Sequence, residues 1–409
     1  MTVDGRELPD RPDLARMRAE RHARLQDGLA RTGLDGLLLL GTSAVAYATG
    51  AAAPGCDSGR AALLRPVALV VAGAPFPHLF TPYPDGAPPE LPADHLHAAA
   101  LPDLDDGADL LAAAVRRIVG PTPRLGCDEV PHPLRRALAG FDVRPAATVL
   151  GPAKLRKTVD EIACIREAQR INEAAMLGVE PMLRRPGVTQ TDLTARFAHD
   201  VVELGAELVG IDPVWQVVPP VRADGPWTVH GDLAFPTPSA PVPFEQGDVV
   251  WVDSGVHVAG YASDFGRTWI AGPDPTPSPR QVDQFERWLA VCRAALASCR
   301  PGATAAEVAR AAIDAEGGTR PWVEHFYLAH SVGTDSAEMP MIGTDLGEAF
   351  DAQQVLEPGM VLVFEPVIWD DGAAGYRAED VVAITDDGWM PLSDHPYDPF
   401  VATSPMVAA

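Results

Sequence analysis

The apolar positions of the first 150 residues fall into helical stretches and short unbroken runs. The Arg-rich segment from about Pro12 to Thr32 reads as a helix, and it leads into "DGLLLLG", the unbroken pattern of a buried strand. "AALLRPVALVVAG" supplies more strand, and the proline-rich "TPYPDGAPPELPADH" is a loop. This half is expected to be an α/β unit. His95 and His97 stand among Ala and Leu with no chemical cluster around them, so no metal site is expected there.

The pattern changes at "LGPAKLRKTVDEIACIREAQRINEAAM". Thr158 followed by Glu161 is a capping-box signature, and Ile162, Ile165, Ala168 and Ile171 make a helical stripe. A long helix is therefore expected to open a second domain, giving domains 1–155 and 156–409. Within the second domain "RPGVTQTDL", from Arg185, is echoed 115 positions later by "RPGATAAEV", from Arg300. Each starts a helix with Thr189 or Thr304 as its N-cap. After the first comes "DVVWVDSGVHVAGYASDFGRTWI", two β-rich runs about a turn, which predicts a hairpin. With the turn centred on Val258 and Ala259, Asp253 faces Asp264, their Cβ atoms about 4.5–5.5 Å apart. After the second come "MVLVFEPVI" and "YRAEDVVAI", two further strands carrying Glu365 and Glu379. Asp264 and Glu379 share the 115-residue offset, and Asp253 and Glu365 are 112 apart. A duplicated fold would bring both acidic pairs together about a pseudo-twofold axis. Four converging carboxylates raise one another's pKa and require cations.

His330, in "LAHSVGTDSAEMP", is a fifth candidate ligand, set among small residues that let backbone approach closely. Carboxylates with one imidazole suit Mn, Co, Fe or Zn, and do not suit Cu(I) or an iron–sulfur cluster. Five such ligands are too many for one tetrahedral zinc. They fit two divalent ions about 3.5–4 Å apart that share bridging carboxylates and activate a water.

Composition narrows the function classes. At 409 residues and 47% apolar, the chain has room for two cores. Its net charge of −24 argues against nucleic acid and anionic membranes as partners. Five scattered cysteines without a CxxC fit a reduced, cytoplasmic protein. "MTVDGRELPD" lacks signal-peptide regions, and no apolar run approaches about 18 residues, so a soluble protein is expected.

The ordered set D-x-G-x4-G-Y-x-S-D-x-x-R-T, then H-S-V-G…E-x-P, P-G-M-V…E-P and R-A-E-D resembles the pita-bread metallopeptidases. That group includes prolidase, Xaa-Pro aminopeptidase, methionine aminopeptidase and creatinase. The resemblance covers roughly 150–400 and, more loosely, the N-terminal half through "DGLLLLGTSAVAYATG". It implies an α/β N-terminal domain of creatinase/prolidase type and an α+β pita-bread catalytic domain with an internal pseudo-twofold repeat. It also implies that Asp253 chelates one metal, that Asp264 and Glu379 bridge, and that His330 and Glu365 complete the second. By the same resemblance His230 hydrogen-bonds substrate, Glu338 shuttles protons, and Arg377 matches the arginine two residues before the last ligand. The ions are expected to be Mn, with Co, Fe or Zn as alternatives, and the protein a homodimer.

Taken singly, each acid would be an ordinary solvated residue. Repeat offset and motif order together favour the metal cluster. His257 is placed in the turn facing solvent, His325 in "VEHFYL" as structural, and Trp215, Trp227 and Trp369 in core or rim. Three departures from the peptidases surround the substrate. Ala337 stands where they carry a second histidine. The segment Ser331 to Tyr376 holds no Arg or Lys but nine Asp or Glu, and the loop from Gly231 to Gly247 is long and proline-rich. The expected function is a dinuclear metal-dependent hydrolase of Xaa-Pro peptidase type acting on a short peptide or small molecule. Free dipeptides should be poor substrates unless Arg377, or an arginine such as Arg60 from a partner chain, holds their carboxylate. The alternative is a pita-bread enzyme that has left peptides: a creatinase-like or ectoine-hydrolase-like amidohydrolase, or a lyase of the dimethylsulfoniopropionate type. A binding module without catalysis is disfavoured by the intact ligand set.

Overall fold

Leu37, Leu38 and Leu39 have no polar neighbours in sequence because both of their faces are covered. The computed structural model describes residues 1–52, 64–225 and 240–395, with the backbone alone at 208–212. Two units divide the chain: Pro12–Asp160, and Met1–Arg11 with Glu161–Ala409. The expected join at 155/156 and this division lie on the two sides of segment 156–160.

In the first unit, helix α1 (Leu14–Thr32) is capped by the Asp13 side chain and stops at Gly33, whose φ of 66° suits a residue without a Cβ. Strands β1 (Gly36–Leu39), β2 (Val67–Val71), β3 (His78–Phe80), β4 (Leu96–His97), β5 (Arg124–Cys127) and β6 (Asp142–Pro145) form one sheet in the order β4-β3-β2-β1-β5-β6. Strand β1 runs antiparallel to β2 and parallel to β5. Period-2 alternation sends Leu37 and Leu39 to one core, with Leu25, Leu29 and Val149, and Leu38 and Leu40 to another, with Leu111 and Val115. The unit is thus a sheet with helices on both faces, as an unbroken apolar strand requires.

Helix α2 (Val159–Val179) starts immediately after Thr158 and, from Glu161 on, belongs to the second unit. The expected stripe Ile162, Ile165, Ala168 and Ile171 is buried, but so are Glu161, Gln169 and Asn172. Most of this helix is enclosed by protein, and Glu161, Gln169 and Asn172 face structure, while Arg170 stays exposed. Both repeat motifs start capped helices: α3 (Gln190–Glu203) and α4 (Ala305–Ala315) carry full capping boxes on Thr189 and Thr304. The repeat extends to equivalent hydrogen bonds. Phe244 N donates to Val188 O at 3.0 Å and Leu356 N to Ala303 O at 2.8 Å; Gly247 N donates to Ala271 O and Gly359 N to Ile384 O, both at 2.9 Å.

Each half contributes an antiparallel sheet. In the first, β8 (Val249–Val258) pairs with β7 (Leu208–Val218) on one side and with β9 (Tyr261–Ala262) and β10 (Phe265–Ile270) on the other. In the second, the order is β12-β11-β13-β14-β15, where β11 is Ala329–Ser331, β12 Glu338–Ile342, β13 Val361–Phe364, β14 Asp380–Ile384 and β15 Trp389–Pro391.

The hairpin forms, but in a register two residues from the expected one. Asp253 pairs with Gly266, not with Asp264. The turn is centred on Ala259 and Gly260, with φ of 50° and 78°. A two-residue hairpin turn that matches strand twist needs positive φ at both central positions, and Gly260 supplies one of them without strain. His257 accordingly lies on β8, paired with Ala262 and half-buried, rather than in the turn.

Candidate metal centre

Asp253 and Asp264 are diagonal neighbours on one face of the first hairpin, and the residue directly opposite Asp253 is a glycine. That glycine makes the room. A Cβ on Gly266 would lie 2.5 Å from the carboxylate carbon and Oε1 of Glu379, which comes from the second repeat. Carboxylate oxygens of Asp253, Asp264 and Glu379 all lie within 4.8 Å of one another. His330, on β11, places Nε2 at 2.8 Å from Glu365 Oε1 and 3.3 Å from Asp264 Oδ2. Its Nδ1 sits 2.9 Å from Ser331 O, which fixes the ring with Nε2 toward the acids. All five expected ligands therefore meet at one place.

Arg377 also lies inside this cluster. Its Nε donates to Glu365 Oε2 at 2.8 Å, Nη1 and Nη2 to Asp253 Oδ2 at 3.0 Å, and Nη2 further pairs with Glu365 Oε2 and Glu379 Oε1. One guanidinium spans three carboxylates. Its geometry toward Glu379 makes an ion pair but no hydrogen bond, so both Glu379 oxygens, with Asp253 Oδ1, are buried and accept none from the described residues.

Electrostatics follow from burial. Removal from water, reinforced by Asp264 and Glu365 and opposed by Arg377, pushes the Asp253 carboxyl up to about 6. Burial also carries Glu379 well above the usual range, with Asp264, Asp253 and Glu365 adding to it against Arg377. Glu365 goes the other way, down to about 2, because Arg377 and His330 outweigh its burial. For His330, burial is likewise outweighed, by Asp264 and Glu365, and the imidazole rises to about 10. Buried carboxylate oxygens of Asp253 and Glu379 that accept no hydrogen bond from the described residues, in acids gathered within 4.8 Å of one another with Asp264, fit a divalent cation.

The second half of the hairpin motif builds the frame. Arg267, fully buried, donates to the carbonyls of Gly266 and Glu379, to Asp380 Oδ1 at 3.2 Å and to His395 O at 2.8 Å. Thr268 Oγ1 donates to Arg377 O at 2.6 Å and accepts from Arg377 N at 3.0 Å. On the other side, Asn172 of α2 donates to Ser254 O at 2.9 Å and Ser263 Oγ at 3.0 Å, and Gln169 Oε1 accepts from Asp264 N at 3.2 Å. These positioning residues had no assigned role in the sequence. The adjacency of "RT" to Asp264 was the available signal; the polar side of α2 resembled a solvated face.

The remaining candidates separate. Glu338 pairs across β11 and β12 with Ser331, next to His330, and accepts from Asp335 N at 3.1 Å. His325 is tied to Asp345, its Nδ1 2.9 Å from Oδ2, and serves structure. Trp215 is core, with Nε1 donating to Thr194 at 2.9 Å, and Trp369 packs edge-on against Trp251. His230, Trp227 and Arg60 lie outside the described residues.

A sequence model of metallopeptidase family M24 matches residues 163–386, which include all five clustered ligands. The chain belongs to metallopeptidase family M24. It is 32% identical over 271 residues to the probable dipeptidase PepE of Mycobacterium tuberculosis, an alignment spanning 65% of each chain. The dimethylsulfoniopropionate lyase DddP of Roseobacter denitrificans is 27% identical over 413 residues, 95% of this chain and 88% of that protein. The prolidase of Pyrococcus horikoshii OT3 superposes with a TM-score of 0.72 at 21% identity, covering 93% of this chain and 99% of that one. That superposition gives this family member the pita-bread fold.

Proposed function

We propose that this M24 protein is a dinuclear metal-dependent hydrolase of Xaa-Pro peptidase type, cleaving a C–N bond in a short peptide. The observation that carries the reading is the cluster of Asp253, Asp264, His330, Glu365 and Glu379 with buried oxygens that accept no hydrogen bond from the described residues. These five residues would hold two divalent ions, with manganese the first choice for an oxygen-rich set with one imidazole. Bound there, the ions supply Lewis acidity and a strong nucleophile near neutral pH. Arg377 orients Asp253 and Glu365 and offsets their repulsion; Glu338 beside His330 moves protons, and His230 contacts substrate. The relatives named as dipeptidases support the peptide substrate. A cytoplasmic homodimer is part of the proposal, resting on the family resemblance and on Cys127, Cys164, Cys292 and Cys299, all buried free thiols.

The extent of the DddP alignment favours a second reading, elimination from a dimethylsulfoniopropionate-like substrate. One experiment addresses both: elemental analysis with turnover on Ala-Pro, Gly-Pro, tripeptides, blocked amides and dimethylsulfoniopropionate. We expect two metals per chain, and tripeptides or amides to exceed dipeptides in kcat/KM. Asp264→Asn and Glu379→Gln should each lose metal and activity. Two metals retained in both variants would sink the ligand assignment, and elimination without hydrolysis would move the protein to the second reading.

A further inference from the structure

The candidate centre is rich in acceptors and short of spare donors. Its four carboxylates only accept when ionised. Arg377 is committed to three of them, and His330 has one nitrogen on Ser331 O and the other on Glu365 and Asp264. Hydrolysis of an amide places negative charge on the carbonyl oxygen, and a donor aimed at that oxygen contributes most when water is excluded. Among the described residues, Tyr327 brings a hydroxyl to this place.

Three observations set Tyr327 there. Its ring stands edge-on to His330, with centroids 5.3 Å apart. Its phenol lies in the field of Glu365, Arg377 and Asp264. Its body packs on Val218, Trp251, Phe326 and Val367 while the residue stays half-buried, unlike the neighbouring His330 and Glu365. The ring is therefore held beside His330, on a residue that solvent still reaches in part. Glu365 also keeps His330 and Arg377 as partners without the phenol. Glu365 therefore does not depend on the phenol for a partner.

We propose that the Tyr327 hydroxyl is the hydrogen-bond donor to the oxygen that gains charge as the C–N bond is attacked. The phenol keeps its proton throughout, and no bond to it forms or breaks. The inference rests on the hydrolase reading above and adds a residue to it.

The test is Tyr327→Phe, which removes one oxygen and keeps the ring, assayed as the metal-loaded full chain beside the wild type. Metal content and melting temperature should be unchanged, and kcat should fall by about 10²–10³ with KM little altered. By calorimetry, the affinity for a phosphinic tripeptide analogue, whose tetrahedral P–O⁻ stands in for the charged oxygen, should fall by a similar factor. A kcat within about threefold of the wild type, below the loss expected for such a donor, would overturn the proposal. Loss of metal together with activity would also overturn it, making Tyr327 a support for Glu365. A wild type that hydrolyses nothing on the panel instead defeats the hydrolase reading, and this inference with it.

Discussion

Gly266 shows how one missing side chain organises the centre. It occupies the position directly across from Asp253, where a facing residue would fill the space between the strands, and Glu379 of the other repeat enters that space instead. Its backbone is ordinary extended strand, so alanine is excluded by contact and not by conformation. Gly266→Ala should therefore fold, at a cost of about 1–3 kcal/mol for overpacking, and displace Glu379 from Asp253 and Asp264. The expected result is a protein with native circular dichroism and at least tenfold weaker metal binding, roughly 1.4 kcal/mol by the affinity scale, in isothermal titration. Unchanged metal affinity would show that Glu379 does not need that space. The sequence made Asp253 and Asp264 legible through spacing, and the offset made Glu365 and Glu379 legible through duplication. It did not reveal the glycine's purpose, because the atom that would clash comes from a residue more than a hundred positions away.

At the scale of elements, the two halves are held by strand-to-strand ties that the local pattern does not announce. The N-caps at Thr189 and Thr304 and the apolar stripe of α2 depend on neighbours three or four residues off, and both were readable. The hairpin register was not, since moving the turn by one residue shifts the pairing by two and leaves the hydrophobic alternation intact. Nor was the part played by Arg267, whose guanidinium links β10 to the Glu379 carbonyl and to Asp380 at the head of β14. Asp380 is fully buried, and burial, only partly offset by Arg267, raises its carboxyl to about 6. Removing the cation leaves that acid alone in the core. Arg267→Met should cost about 3–5 kcal/mol in chemical denaturation, the range for a broken buried pair. The double variant Arg267→Met/Asp380→Leu should recover part of this loss. Equal stability of the single and double variants would mean that the carbonyl contacts, and not the charge pair, carry the energy.

For the molecule as a whole, a half-buried histidine of the first unit and a buried glutamate of the second have opposite effects on stability. In the first unit His78 stacks on His95 with centroids 4.0 Å apart and shares a 3.0 Å hydrogen bond with His97. Burial, with His95 and His97 adding and Asp94 opposing, lowers His78 to about 4 from 6.5. A base with a depressed folded value stabilises the fold above its unfolded pKa, and that contribution is lost as pH falls from about 6.5 toward 4. In the second unit Glu173 accepts from Gln169 at 3.0 Å and from Asp394 N at 3.1 and 3.0 Å, yet burial prevails and raises it to about 7 from 4.5. An acid with a raised folded value contributes fully below about 4.5, and its contribution disappears as pH climbs through 7, by up to roughly 3 kcal/mol. Between pH 4.5 and 6.5 the two contributions therefore run in opposite directions. Denaturant titrations of the metal-free protein at half-unit pH steps should show this through two variants. Relative to the wild type, Glu173→Gln should gain stability as pH rises from 4.5 to 7, because amide replaces an acid that must ionise in the core. His78→Phe should gain as pH falls over the same interval, because it removes an imidazole that takes up a proton only on unfolding. If the two differences from wild type share a sign of slope, the opposed titrations do not exist, and one unit governs the acid response of the chain.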